Sequence, residues 1–474
     1  MNIKTRFAPS PSGDLHIGNV RTALYAWLFA RNQGGKFLLR IEDTNLKSSI
    51  NNNIVSNIIS VMSWLNLNWD EGPYYQSDRF DRYNYIINDM IKNHMAYKCY
   101  CSEERLQSIR SNQIKRGEKP KYDRFCRGVL FNKNVMRNFP YVVRFCNPSS
   151  GKVTFHDEIR GSITFNNEEL DDLIIRRTNG IPTYNFCVVI DDIDMNITHV
   201  IRGEEHINNT PRQINILRAL NATIPVYAHV PIILDSNRKK ISKRHHGMLE
   251  IMRYRKYGFL PEAILNYLVR LGWSYGNQEI FSVDQMKKYF SFKNINKSSS
   301  VFDFERLLWY NHYYINHLPV NYVSSHLLKY MYMHNIDYEN NLKLSDIIQL
   351  FGKRSNTLQE IVHNYLYLYK DFNISEKHLS KKYFNLNIIT SLKFLRRKLN
   401  GINNWTLDSI KFAIKDTINE LKIQMDVIGM PVRILLTGTN QSPELSIIMY
   451  VIGKNRVLER FDNAITYIEE KLRI

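Results

Sequence analysis

Ile3-Lys4-Thr5-Arg6-Phe7 leads into Pro9-Ser10-Pro11-Ser12-Gly13-Asp14-Leu15-His16-Ile17-Gly18-Asn19, and the reading of this stretch decides the fold. Ile3 to Phe7 alternates as a strand does, and Pro9, Pro11 and Gly13 then force an irregular loop. From about Asn19 to Asn32, Val20, Ala23, Leu24, Trp27 and Leu28 recur at helical spacing, and Gly34-Gly35 stops that helix. Lys36 to Ile41 forms a second strand that ends at Glu42-Asp43. The pattern is a βαβ unit. Ligands in open parallel sheets gather beyond the carboxyl ends of the strands, so the loop, the helix start and Glu42 are expected around one crevice. A loop rich in Pro and Gly lets backbone approach a nucleotide, and exposed helix N–H groups favour phosphate. His16 is then placed to donate to phosphate oxygens. A tight turn with a solvated histidine competes with this reading, but the position between strand and helix favours the nucleotide.

Farther along, residues 70 to 190 mix strands, turns and charged helices, as an insertion before the sheet resumes. Thr183 to Asp191 and Thr198 to Ile201 read as two apolar strands, each followed by acidic residues. A polar loop from Asp235 to His246 contains Lys239-Lys240-Ile241-Ser242-Lys243-Arg244. Such a basic loop can close over a triphosphate, although most lysine runs are simply solvated. Beyond about residue 320 the pattern is helical. Thr357-Leu358-Gln359-Glu360 is a capping-box sequence ahead of Ile361, Val362, Tyr365, Leu366 and Tyr369. Ser391 to Leu399 and Asp408 to Leu421 repeat the style, and Gly and Pro return at Gly429 to Pro431.

The 474 residues suggest about three domains. No apolar run approaches the ~20 residues of a membrane helix, and the N-terminus has no signal-peptide core, so a cytoplasmic protein is expected. A formal charge of +19 suits an RNA partner, though a biased composition rich in Lys, Asn, Ile and Tyr yields the same excess. Five cysteines, an odd number without a secretory signal, are expected as reduced thiols.

Taken together, His16-Ile17-Gly18-Asn19 at the first βα turn and Lys240-Ile241-Ser242-Lys243-Arg244 far downstream resemble the paired signatures of class I aminoacyl-tRNA synthetases. Thr5-Arg-Phe-Ala-Pro-Ser-Pro-Ser-Gly13, Leu39-Arg-Ile-Glu-Asp-Thr44, Trp69-Asp-Glu-Gly-Pro73, Pro182-Thr-Tyr-Asn185, His199-Val-Ile-Arg-Gly-Glu-Glu-His206 and Gly429-Met-Pro-Val-Arg433 look like the bacterial glutamyl branch. The resemblance implies an α/β protein. A Rossmann-type catalytic domain over 1–320 would carry an acceptor-binding insertion (about 80–190) and a stem-contact region (about 240–320). An all-α anticodon-binding region would occupy 321–474.

It also implies ATP, Mg2+, L-glutamate and tRNA(Glu) as the small molecules and partner, with a monomer as the usual state. His16, Gly18, Asn19, Glu205, Lys240, Ser242, Lys243 and Arg244 would surround ATP, with His16 and Lys243 stabilising charge in the transition state. Arg6, Ala8, Ser10, Glu42, Tyr184 and Arg202 would line the glutamate pocket, with His206 beside Glu205. Bidentate arginine suits a carboxylate, and Glu42 would receive the substrate ammonium. Arg6 and Glu42 as a purely structural ion pair is the competing reading. Some relatives bind zinc through Cys-x-Cys and Cys-x-His. Here Cys99, Cys101 and Cys126 match, but Gly128 occupies the last ligand position, so a degraded site without zinc is expected and Tyr122 or His156 are the candidate substitutes. Glutaminyl relatives have β-barrel anticodon domains, which the helical pattern beyond residue 320 does not match.

Overall fold

The computed structural model describes residues 2–44, 52–129, 139–239, 250–336, 343–369, 386–438 and 442–472. The chain divides into two compact units, 1–255 with 261–310, and 256–260 with 311–474.

In the first unit, β1 (Lys4–Phe7), β2 (Lys36–Ile41) and β3 (Glu71–Tyr75) run parallel in that order. Helix α1 (Ile17–Asn32) crosses between β1 and β2, and its Val20, Ala23, Leu24, Ala26 and Leu28 are buried. Thr5, buried in β1, donates its hydroxyl to Ala26 O at 2.9 Å and so pins α1 to the strand. The next strands in the chain are β4 (Ala96–Cys99), β5 (Val142–Phe145), β6 (Lys152–Asp157), β7 (Gly161–Asn166), β8 (Ile174–Arg176), β9 (His199–Gly203) and β10 (Val226–Val230). β9 begins beside β1, where Thr198 N–H donates to Lys4 O at 3.0 Å and Lys4 N–H to Thr198 Oγ1 at 2.8 Å. Parallel pairing continues from β9 to β10 and β6, and β7 closes the edge antiparallel to β6. The carboxyl ends of β1, β2 and β9 thus open on one side of the unit.

An antiparallel sheet β4–β5–β8 belongs to the inserted region. It packs with the helix Phe80–Lys92 and the helix Tyr184–Asp194 around Tyr83, Ile87, Met90, Val143, Ile175, Phe186 and Ile190. Tyr184–Asp194 corrects the strand expected at Thr183 to Asp191. Phe186 to Ile190 are buried without alternation, and such a run reads equally as strand or helix. Helical turns bring the adjacent Asp191 and Asp192 to different partners. Asp191 accepts from Arg79 Nε at 2.7 Å, Tyr83 Oη at 2.8 Å and Gln76 Nε2 at 2.8 Å. The strand expected at Thr198 to Ile201 is present as β9.

The second unit is helical where described. Leu358–Tyr369, Leu386–Asn400, Leu407–Leu421, Met425–Thr437, Leu445–Ile452 and Lys454–Leu472 supply most of it. Thr357 caps the first of these, its hydroxyl accepting from Glu360 N–H at 3.2 Å. Gly429 and Pro431 sit inside Met425–Thr437 instead of breaking it; the one carbonyl that Pro431 leaves without a helical donor belongs to the exposed Val427. Among the described residues, no helix is long and apolar enough to cross a membrane.

Asp191 is fully buried and holds three side-chain donors from another segment. Asp191→Ala takes the acceptor from buried Gln76 and Tyr83 and leaves Arg79 with Asp194 alone, so urea unfolding should show a loss of roughly 3–5 kcal/mol. Removing the exposed Asp284, paired only with Lys287 one helical turn away, should cost less than about 1 kcal/mol. Equal effects would contradict the anchoring role of Asp191.

Candidate active site

The floor of the crevice is a buried cluster of charges. Arg6 on β1 donates Nε–H to Asp192 Oδ1 at 3.2 Å, and Arg40 on β2 donates Nη1–H to the same oxygen at 2.8 Å. Arg40 is wholly buried, with Asp191 and Glu42 carboxylates each 3.6 Å from its other nitrogens. Glu42 follows β2, and its N–H donates to Pro9 O at 2.9 Å, which ties the loop after β1 to the end of β2. Burial, reinforced by Asp192 and Asp191 and only partly offset by Arg40 and Arg6, pushes the Glu42 carboxyl up to about 7. Burial beside Glu42 likewise pushes the Tyr184 phenol up to about 12.

Arg202, on β9, is held differently. Its Nη2 donates to Thr210 Oγ1 at 2.8 Å and its Nε to His229 Nε2 at 3.2 Å, both on a buried guanidinium. Its Nη1 is buried and has no hydrogen-bond partner among the described residues. Leaving a charged donor unpaired in a low-dielectric interior is costly, and an incoming carboxylate would remove that cost. His206 stands near Tyr184, with ring centroids 6.1 Å apart. Burial, with the Arg202 charge added, pushes His206 down to about 4, so it is neutral at pH 7.

At the other side of the crevice, His16 is the N-cap of α1. Its Nδ1 accepts Gly18 N–H at 3.1 Å, while Asn19 Oδ1 accepts His16 N–H at 3.4 Å, a reciprocal capping box. A side chain at Gly18 would start within 3.2 Å of the imidazole, so glycine permits this close cap. With Nδ1 accepting, the ring proton lies on Nε2, which makes that nitrogen a donor at the positive end of the helix. Glu205 is exposed, and its carboxylate folds over Gly203, where a Cβ would come within 2.2 Å of it. Ser10 is exposed and Ala8 half-buried on the β1 loop. The structure therefore brings Arg6, Glu42, Tyr184 and Arg202 into one electrostatic neighbourhood. His16, Gly18 and Asn19 form a second group at the helix start. Lys240, Ser242, Lys243 and Arg244 lie outside the described residues.

Arg40, Asp191, Asp192, Thr210 and His229 were not singled out from sequence. The adjacent acids at the end of an apolar run, Ile190-Asp191-Asp192, were the one available signal, since buried carboxylates demand cationic partners.

The chain resembles known proteins along nearly its whole length. Residues 2–309 match the family of class I tRNA synthetases (E and Q), catalytic domain, and residues 321–465 match the anticodon binding domain family. The chain is 62% identical over 478 residues to the glutamate–tRNA ligase of Blochmanniella floridana, covering 99% of both. Among solved structures it resembles a glutamate tRNA ligase from Elizabethkingia meningosepticum in complex with its amino acid. The TM-score is 0.86 at 29% identity, over 99% of this chain and 100% of that one. The glutamate–tRNA synthetase of Elizabethkingia anophelis gives a TM-score of 0.84 at 30% identity, over 98% and 100%.

The cysteine cluster lies elsewhere in the first unit. Sγ atoms of Cys99, Cys101 and Cys126 fall within 4.8 Å of one another. Tyr122 Oη sits among them, 3.3 Å from Cys99 Sγ and 3.5 Å from Cys101 Sγ, and accepts Cys126 N–H at 3.0 Å. His156 is exposed on β6 and is not part of the group. Structural zinc takes four ligands, nearly always tetrahedral. These residues supply three sulfurs and a phenol whose burial opposes ionisation, so the donor set does not complete a zinc site. The knot is closed by its own hydrogen bonds. Prolonged EDTA treatment of the purified protein should shift Tm by less than about 1 °C, because the donor set falls one ligand short of a structural zinc site. A large drop reversed by added Zn2+ would contradict this.

Proposed function

The chain belongs to the class I tRNA synthetases of the glutamate and glutamine type and acts as a glutamate–tRNA ligase; we propose that its two halves of the crevice divide the substrates between them. Arg202 and Arg6 receive the carboxylates of glutamate, Glu42 receives its ammonium, and Tyr184, Ser10 and Ala8 complete the pocket. His16, Gly18 and Asn19 hold the phosphates of ATP, joined by Lys240, Ser242, Lys243 and Arg244, and Glu205 lies near the nucleotide. The observation that carries this reading is the pairing of opposite deficits: Arg202 Nη1 is buried without an acceptor among the described residues, and Glu42 is a buried carboxyl with a raised pKa. An α-amino acid with a second carboxylate satisfies both.

In the first step a carboxylate oxygen of glutamate attacks the α-phosphorus of ATP, and the bond to the β-phosphate oxygen breaks, releasing pyrophosphate. In the second, a ribose hydroxyl of the terminal adenosine of tRNA, the 2′ one by class I analogy, attacks the activated carbonyl and AMP leaves. No protein nucleophile takes part, so the acceleration comes from positioning and from charge stabilisation on the phosphoryl oxygens. His16 Nε2–H donates a hydrogen bond to those oxygens, and Lys243 supplies positive charge. ATP enters as its magnesium complex, in which the cation belongs to the substrate. The inserted region of about 80–190 contacts the acceptor end, the segment 240–320 the stem, and the helices beyond 320 the anticodon. The enzyme works as a monomer in the cytoplasm.

Two experiments test the assignment. Lys243→Ala should slow adenylate formation at least about 100-fold while tRNA affinity changes less than about twofold; normal turnover would overturn the role. Glu42 accepts the ammonium only when ionised, and its free-enzyme pKa is about 7. The kcat/KM for glutamate should therefore rise from pH 6 to 8, and Glu42→Gln should lower it and flatten the profile. An unchanged profile in that variant would remove Glu42 from the pocket.

A further inference from the structure

Three neighbouring parallel strands carry Asp157 (β6), His229 (β10) and Arg202 (β9), and His229 stands directly opposite Arg202 in register. All three side chains are buried. Asp157 Oδ2 accepts His229 N–H at 3.0 Å and lies 2.6 Å from Nδ1 of the same residue. Its Oδ1 accepts the backbone N–H groups of Ile159 and Arg160 at 3.0 and 2.8 Å, so the carboxylate is held at both oxygens. A carboxylate on Nδ1 places the ring proton there, which makes Nε2 the acceptor. That acceptor faces Arg202 Nε at 3.2 Å and Thr210 Oγ1 at 3.1 Å, and Thr210 in turn accepts from Arg202 Nη2 at 2.8 Å. Two of the three guanidinium nitrogens are thereby fixed by neutral acceptors, and Nη1 alone is left without a partner among the described residues.

We propose that His229, locked in its Nδ1–H tautomer by Asp157, is the positioning residue that orients Arg202 so that Nη1 meets a carboxylate of glutamate. The inference rests on the reading of Arg202 as a glutamate ligand. Neutral acceptors hold the guanidinium in place without neutralising it, whereas a carboxylate at the same position would compete with the substrate for its charge. Burial holds the His229 imidazole below the usual histidine range, which keeps Nε2 available as an acceptor at neutral pH.

The two sides of the imidazole can be replaced separately. His229→Asn retains a donor at the Nδ1 position toward Asp157 but lacks the Nε2 acceptor; His229→Gln can place an amide oxygen near the Nε2 position. Both are to be compared with Arg202→Lys in aminoacylation of tRNA, with Tm measured alongside. The expected result is a rise of on the order of 10-fold to 100-fold in KM for glutamate in His229→Asn, with KM for ATP unchanged and most of the loss restored in His229→Gln. An unaltered glutamate KM in His229→Asn would overturn the positioning role. So would an equal loss in both variants tracked by lowered Tm and raised KM for ATP. If Arg202→Lys itself leaves glutamate KM unchanged, the assignment of Arg202 fails, an outcome separate from the failure of His229.

Discussion

Two guanidinium groups buried at the ends of β1 and β2 require carboxylates, and everything around the crevice follows from where those carboxylates come from. Arg6 and Arg40 share Asp192, which lies 152 residues beyond Arg40 in the chain. Desolvating an arginine without a partner costs several kcal/mol, so the helix Tyr184–Asp194 has to return to the first strands. Its neighbouring Asp191 reaches instead to Gln76, Arg79 and Tyr83, which lie at and beyond the end of β3. One helical turn therefore ties together the nucleotide-type βαβ unit and the inserted region.

Within that scaffold the charges are not all compensated locally. Asp192 binds Arg6 and Arg40, and Asp191 takes its donors from beyond β3, which leaves Glu42 only partly compensated by Arg40 and Arg6. Arg202 is held by a hydroxyl and an imidazole nitrogen, neither of which carries negative charge. One site is short of an anion and another short of a cation, both in a low-dielectric setting where a fixed charge acts strongly. Preorganisation of this kind suits a zwitterionic substrate and explains how a crevice with no nucleophile can do chemistry.

Much of this was legible in the sequence because it is local. The first strands and α1 follow from periodicity and from Gly34-Gly35, and the His16 cap follows from its position between strand and helix. Arg6, Glu42 and Arg202 were found through motif resemblance, and their meeting depends on strand order that no single segment carries. The helix Tyr184–Asp194 was misread as a strand because residues buried on every side lose the alternation that tells the two apart. Arg40 looked like an ordinary strand residue, and His229 sits in the short run Val226–Val230, where its pairing with Asp157 is purely tertiary. The Lys240-to-Arg244 segment rests on sequence alone, since it lies outside the described residues.

The most direct test is ATP–pyrophosphate exchange by the purified chain with glutamate or glutamine, each with and without tRNA. The charge arrangement predicts exchange with glutamate and little with glutamine, whose neutral side chain leaves a guanidinium unmatched. A folded protein that gives no exchange under any of these conditions, or equal exchange with both amino acids, would contradict the account.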